Sequence, residues 1–130
     1  QMCIRDSFPP DAVRVRVDEG LLKQAILNLM LNATHAMAGA PEGEEPPELI
    51  LRVACDEGDA RLHVIDTGPG IDAERLDEIF RPYVSGRTGG TGLGLPTARR
   101  IIEEHGGKLT AHSERGRGSD FTIELPVDQG

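Results

Sequence analysis

Between Gly86 and Gly94 five of nine residues are glycine, and the run Gly89-Gly90-Thr91-Gly92-Leu93-Gly94-Leu95-Pro96 passes straight into a helical pattern. Glycine costs backbone order unless the chain needs unusual dihedrals or close approach. So dense a cluster predicts a loop wrapped around something. Free amides at a helix N-terminus form an anion site, and glycine removes the side chains that would hold a phosphate away. Pro96 suits the first turn, where its missing N–H would have no partner. A dinucleotide-binding fingerprint does not fit, because it must follow a first strand directly, with an acidic residue about 20 positions on. Here an irregular stretch from Arg81 precedes the glycines and Gly106-Gly107 closes the helix. A P-loop is excluded because no GxxxxGK[ST] occurs.

The flanking chain supplies one domain. Val13, Val15 and Val17 alternate with Arg14 and Arg16, which predicts a strand. Asp18 stands at an N-cap position before a helix over 19–38, where Leu22, Ala25, Ile26, Leu29, Ala33 and Met37 form an apolar stripe. Residues 39–48 are rich in Pro, Gly and Glu and read as a solvated loop. Leu49–Cys55 and Ala60–Asp66 form a hairpin around Asp56-Glu57-Gly58-Asp59, with Cys55 a small buried hydrophobe. A short helix is expected over 72–79 and another over 94–105. Two closing strands, 108–113 and 119–125, flank the turn 114–118. The expectation is an α/β (α+β) two-layer sandwich: a mixed, largely antiparallel sheet of about five strands on about three helices, with a glycine-rich lid.

The chain has 130 residues, enough for one core. Its net charge of −8 argues against nucleic-acid binding, which depends on basic side chains neutralising phosphates. No apolar run approaches the roughly 20 residues of a membrane span, so no direct membrane contact is expected. Two cysteines without a CxxC pair suggest a reducing compartment. Residues Met2 to Ser7 are what a sequencing-adapter end, ATG-TGT-ATA-AGA-GAC-AG, encodes in frame. Residues 1–7 are therefore read as an assembly artefact, the domain as 8–130, and further chain is expected upstream.

Asn28 and Asn32 lie four apart on the first long helix, with Gln24 and His35 on nearly the same stripe. A solvated face would sooner carry Glu, Lys or Arg, since Asn is a poor mid-helix residue. Amide oxygens of Asn can instead ligate a hard cation such as Mg2+. Asp66-Thr67-Gly68-Pro69-Gly70 ends an apolar strand. It reads either as a capped turn or as a carboxylate placed to accept from an exocyclic amine, with Gly68 and Gly70 admitting a flat ring.

Taken in order, the Asn helix, the Asp66 turn, Ile79-Phe80-Arg81-Pro82-Tyr83 and the Gly92-Leu93-Gly94 loop resemble the N, G1, F and G2 boxes of one domain. That domain is the ATP-binding catalytic domain of sensor histidine kinases, in the superfamily of the Hsp90, gyrase and MutL ATPases. Arg99 to Gly107 and Phe121 to Pro126 resemble the histidine-kinase branch. The resemblance covers about residues 12–126. It implies that Asn32 holds Mg2+ bridging the ATP phosphates with Asn28 beside it, that His35 contacts a phosphate, and that Asp66 accepts from the adenine amino group. Gly68, Gly70 and Ile71 would shape the adenine pocket, Phe80 would anchor the lid, Thr91, Gly92, Leu93 and Gly94 would meet the phosphates, and Thr122 would reach the adenine region.

Two departures matter. Many relatives of the nitrogen-regulation type read Pro-Phe-x-Thr-Thr-Lys after the F-box Phe, whereas this chain reads Pro82-Tyr83-Val84-Ser85-Gly86-Arg87, leaving Arg87 as the cation for the γ-phosphate. The superfamily's hydrolases place a Glu four residues before the Mg2+ Asn, where this chain has Asn28, which cannot take a proton from water near neutral pH. Phosphoryl transfer to a histidine on an upstream dimerisation domain is thus favoured over an ATP-gated clamp, with a degenerate binding module ranked last. The resemblance also implies a cytoplasmic domain, a homodimeric full-length kinase and a response-regulator partner. None of His35, His63, His105 and His112 is read as the acceptor.

Overall fold

A computed structural model describes residues 3–7, 14–38, 46–76, 78–81 and 94–128. Their elements run β1 (Cys3–Ser7), α1 (Glu19–Met37), β2 (Glu48–Asp56), β3 (Asp59–Asp66), α2 (Ala73–Leu76), α3 (Gly94–Glu104), β4 (Lys108–Glu114) and β5 (Gly118–Pro126). The five strands form one sheet in the order β1-β2-β3-β5-β4. Only the β1–β2 pair is parallel; β2, β3, β5 and β4 are antiparallel neighbours.

Local chemistry explains the helices. The Asp18 carboxylate accepts from the Leu21 N–H at 3.0 Å, capping α1. Ala25, Leu29, Ala33 and Met37, spaced by four, then bury one stripe. On α3 the buried set is Leu95, Ala98, Ile101 and Ile102. Both stripes meet the sheet face carrying Leu49, Val64, Leu109, Phe121, Ile123 and Leu125, and together these form a single core. Val64 and Phe121 are register partners on β3 and β5, so the core's largest side chain sits over the centre of the sheet.

Several expectations change. The fifth strand is Cys3–Ser7, paired in parallel with β2, whereas Val15 makes only an isolated bridge to Val127. Residues 14–18 lead directly into the α1 cap, so Val15 and Val17 pack their side chains on the core instead of joining a ladder. Helix α2 stops at Leu76, after which the chain turns through Glu78 N–H to Arg75 C=O and Arg81 N–H to Glu78 C=O bonds. Pro82 disfavours helical dihedrals at Arg81. Cys55 is exposed rather than buried, because β2 runs out toward the hairpin tip beyond the helices. Gly39, the expected stop of α1, lies outside the described residues. No described helix is long and apolar enough to cross a membrane.

Candidate functional site

Strand alternation sorts the sheet's polar residues into two groups. On the helix-facing side, register pairing lines up Asp66 of β3, Ser119 of β5 and Ser113 of β4 in one row. Asp66 is 1% exposed, and its Oδ1 accepts from the Gly68 N–H at 3.0 Å, which folds the chain into a tight turn as β3 ends. Ser113 Oγ accepts from the Ile71 N–H at 2.7 Å, donates to the Gly118 carbonyl at 2.9 Å and lies 2.8 Å from Ser119 Oγ. The turn after Asp66 is thereby stitched to the turn between β4 and β5.

Two glycines make this approach possible. Gly70 has φ +78°, and a Cβ there would collide with the Glu114 carbonyl oxygen. Gly118 has φ +111°, and its Cβ would collide with the Asp66 carbonyl. Both glycines are therefore required by the meeting of two backbones, whereas Gly70 was expected to make room for a ligand ring. Gly68 is buried, and a Cβ on it would crowd the Asp66 carboxylate at 3.0 Å and the Ala36 carbonyl at 3.3 Å. The Asp66 turn thus rests against the last turns of α1.

From Ala36, steps of four lead back along α1 to Asn32 and Asn28, so the three share one stripe of about 12 Å at the helical rise of 1.5 Å per residue. Both Asn residues are half-buried. Asn28 Nδ2 donates to the Gly94 carbonyl at 3.2 Å, joining the stripe to the start of α3. A Cβ on Gly94 would meet nothing within 4 Å among the described residues. Phe80 packs edge-on against Phe121 with ring centroids 6.3 Å apart, and the Arg99 guanidinium lies 5.0 Å over its face. Ile71 packs on the core, and His35 is exposed in the last turn of α1.

The structure therefore brings Asn28, Asn32, Asp66, Gly68, Gly70, Ile71, Phe80 and Gly94 to one side of the sheet. It does not bring Thr122 there. Thr122 belongs to the opposite face with Asp120 and Glu124, where its Oγ1 lies 3.0 Å from His63 Nδ1 and donates to Asp120 Oδ1 at 3.1 Å. Its hydroxyl points away from Asp66, so the expected adenine contact is withdrawn. Arg87, Thr91, Gly92 and Leu93 lie outside the described residues. What sequence reasoning missed is Ser119, beside Asp66 and 5% exposed. The signal was there: Phe121, Ile123 and Leu125 alternate inward, which puts Ser119 on their face and Thr122 on the other. The turn 114–118, read as an ordinary connection, forms the floor beneath the Asp66 turn.

A buried carboxylate, adjacent hydroxyls and an amide-bearing helix stripe ending at a helix N-terminus can together take a ligand with an amine-bearing flat ring at one end and anionic groups at the other. The family described as histidine kinase-, DNA gyrase B-, and HSP90-like ATPase matches residues 17–129. Sensor histidine kinase ZraS of Klebsiella oxytoca is 42% identical over 119 residues, covering 92% of this chain and 25% of that protein. Sporulation kinase C of Bacillus subtilis is 38% identical over 117 residues, covering 90% of this chain and 26% of its own. This chain thus spans about a quarter of the length of these relatives. Among solved structures, the nucleotide-free catalytic domain of histidine kinase ThkA superposes with a TM-score of 0.81 at 31% identity, covering 96% of this chain and 78% of that one. Full-length ShkA in complex with AMPPNP gives 0.83 at 28% identity, covering 99% of this chain and 26% of that one.

Proposed function

Because this chain belongs to the histidine kinase-, DNA gyrase B- and HSP90-like ATPase family, we propose that it binds Mg-ATP and presents the γ-phosphoryl group to a histidine on a separate dimerisation domain of a sensor kinase. The observation that supports this most is the continuity of the site: a buried Asp66 at one end, the Asn28-Asn32 stripe between, and the α3 N-terminus at the other. ShkA carries a nucleotide analogue on the same fold, which supports the choice of ligand.

In this reading Asp66 accepts from the adenine amino group, with Ser119 Oγ beside it to bond the ring edge and Ser113 Oγ holding Ser119 and the Ile71 N–H in place. Asp66 is 1% exposed, so a bond from a donor-bearing ring to its carboxylate is made away from bulk water, where it is stronger. Asn32 offers a neutral amide oxygen, a donor suited to Mg2+ sharing ligands with phosphates. When bound, Mg2+ neutralises charge on the transferring phosphoryl group. Arg87 and the amides of Thr91, Gly92, Leu93 and Gly94 complete the phosphate contacts, His35 adds a basic group nearby, and Phe80, wedged between Phe121 and Arg99, holds the entry to that loop. We keep the domain at residues 8–130, which contains the family match and the four antiparallel strands and leaves out the edge strand β1, and place it in the cytoplasm of a homodimeric kinase acting on a response regulator.

Calorimetric titration of the chain tests this. Mg-ATP should bind, Asn32→Ala should abolish the tightening that Mg2+ gives, and Asp66→Ala should weaken nucleotide binding even in EDTA. No radiolabel should pass from γ-labelled ATP to the chain alone. Absence of Mg-ATP binding would remove the proposal, and steady-state hydrolysis lost on Asn32→Ala would favour an ATP-gated clamp instead.

A further inference from the structure

Asn28 and Asn32 lie one turn apart on one helix stripe, and the structure gives Asn28 a partner on α3. Its side chain faces the Gly94 carbonyl at 3.2 Å, and a carbonyl can only accept, so the facing atom must be the Nδ2 amide. In an α-helix the same carbonyl also accepts from the N–H four residues on, here that of Ala98, so Asn28 takes its second lone pair. At the far end of α3 a second side chain closes the same pair of helices. His105 Nδ1 lies 2.7 Å from the Ile101 carbonyl, and its Nε2 accepts from the Asp18 backbone N–H at 3.1 Å. Asp18 and Asn28 are ten residues apart along α1, and Gly94 and His105 eleven apart along α3. At helical rise these spans are about 15 Å and 16 Å. The two contacts therefore match in length and pin α3 to α1 at both of its ends.

We infer that Asn28 is a positioning residue that fixes the N-terminus of α3 against α1, and is not a ligand of the metal. The consequence is geometric and rests on the reading that ATP phosphates lie between Asn32 and the start of α3. One turn separates Asn28 from Asn32, so the amide that holds Gly94 also sets how far the first-turn N–H groups of α3 stand from the Asn32 oxygen. A loosened α3 leaves each group intact but spoils their spacing. Polyphosphate binding then weakens while the adenine end, built on β3, β4 and β5, keeps its own hydrogen bonds.

Asn28→Ala and the near-isosteric Asn28→Asp, whose carboxylate cannot donate to a carbonyl, are titrated with ATP, ADP and adenosine, in Mg2+ and in EDTA. Amide exchange is followed in the nucleotide-free chain. Asn28→Ala should weaken ATP and ADP about fivefold to tenfold, the loss expected for one hydrogen bond, by the same factor in Mg2+ and in EDTA. Adenosine affinity should stay unchanged, and the Ala98 amide should exchange faster while those of β3 and β5 do not. Asn28→Asp should behave likewise. A loss confined to Mg2+ in Asn28→Ala that Asn28→Asp restores would make Asn28 a metal ligand and overturn the inference. Equal losses for adenosine, or unchanged Ala98 exchange, would overturn it too. If the unaltered chain binds no ATP, the proposed function falls, and Ala98 exchange still decides whether Asn28 holds α3.

Discussion

The sheet carries two polar clusters built from nearly the same residue types, one on each face, and they do different things. Under the helices, Asp66, Ser119 and Ser113 share a row with their carboxylate buried. On the open face, Asp120 bonds His63 Nδ1 at 3.0 Å and Thr122 at 3.1 Å, with the His63 and Asp120 side chains 22% and 30% exposed. The open cluster satisfies itself with a basic partner inside the sheet, where water screens what remains. Beneath the helices the Asp66 carboxylate accepts from a backbone amide in its own turn. Position relative to the helix layer separates a carboxylate buried against backbone from one paired with side chains on the open face.

Adjacent residues on β5 give the largest test of that contrast. Phe121 fills the core and Thr122 does not, so Phe121→Ala should cost about 3–5 kcal/mol in denaturant unfolding, and Thr122→Ala only about 1 kcal/mol. Comparable losses would mean the faces are not distinct. The carboxylates come next. Asp66→Ala should weaken ATP by about 1.5–3 kcal/mol, the usual loss for a hydrogen bond to a charged group, whereas Asp120→Ala should leave calorimetric affinity unchanged and lower only the melting temperature. An equal loss of binding in Asp120→Ala would break the assignment of Asp66. The smallest expected difference is between the hydroxyls. Ser119→Ala should reduce ATP affinity by about 0.5–1.5 kcal/mol, while Thr122→Ser should not change it. A null result for Ser119→Ala would limit the adenine end to Asp66 and its turn.

Much of the fold was legible because its signals are local. Asp18 caps α1 where an Asp before a periodic apolar run predicts it, and the β2–β3 hairpin turns at the expected Asp56-to-Asp59 segment. Asn32, Asp66 and Gly94 were legible as residue types in unusual places. The misses share a different cause. Val15 alternates like a strand residue, but its described pairing is a single bridge to Val127, and one bridge does not make a ladder. Thr122 was assigned by its place in a motif although the alternation of its own strand turned it outward. Ser113 was read only as a strand residue, because its bonds to Ile71, Gly118 and Ser119 join segments up to 42 positions apart.

By itself the sequence determined α1, α3, the strands β2 to β5, the apolar stripes that pack them and the presence of an amide helix, a carboxylate turn and a glycine-rich helix start, since each is encoded within a few residues by period, cap or turn chemistry. Only the tertiary structure decided which polar groups share a face and which partner each one takes. A one-residue change of strand register reverses every side chain, and a side-chain amide is committed by whichever carbonyl packing brings to it. Register and helix docking are long-range outcomes, and the partners of Asp66, Thr122 and Asn28 are set by them.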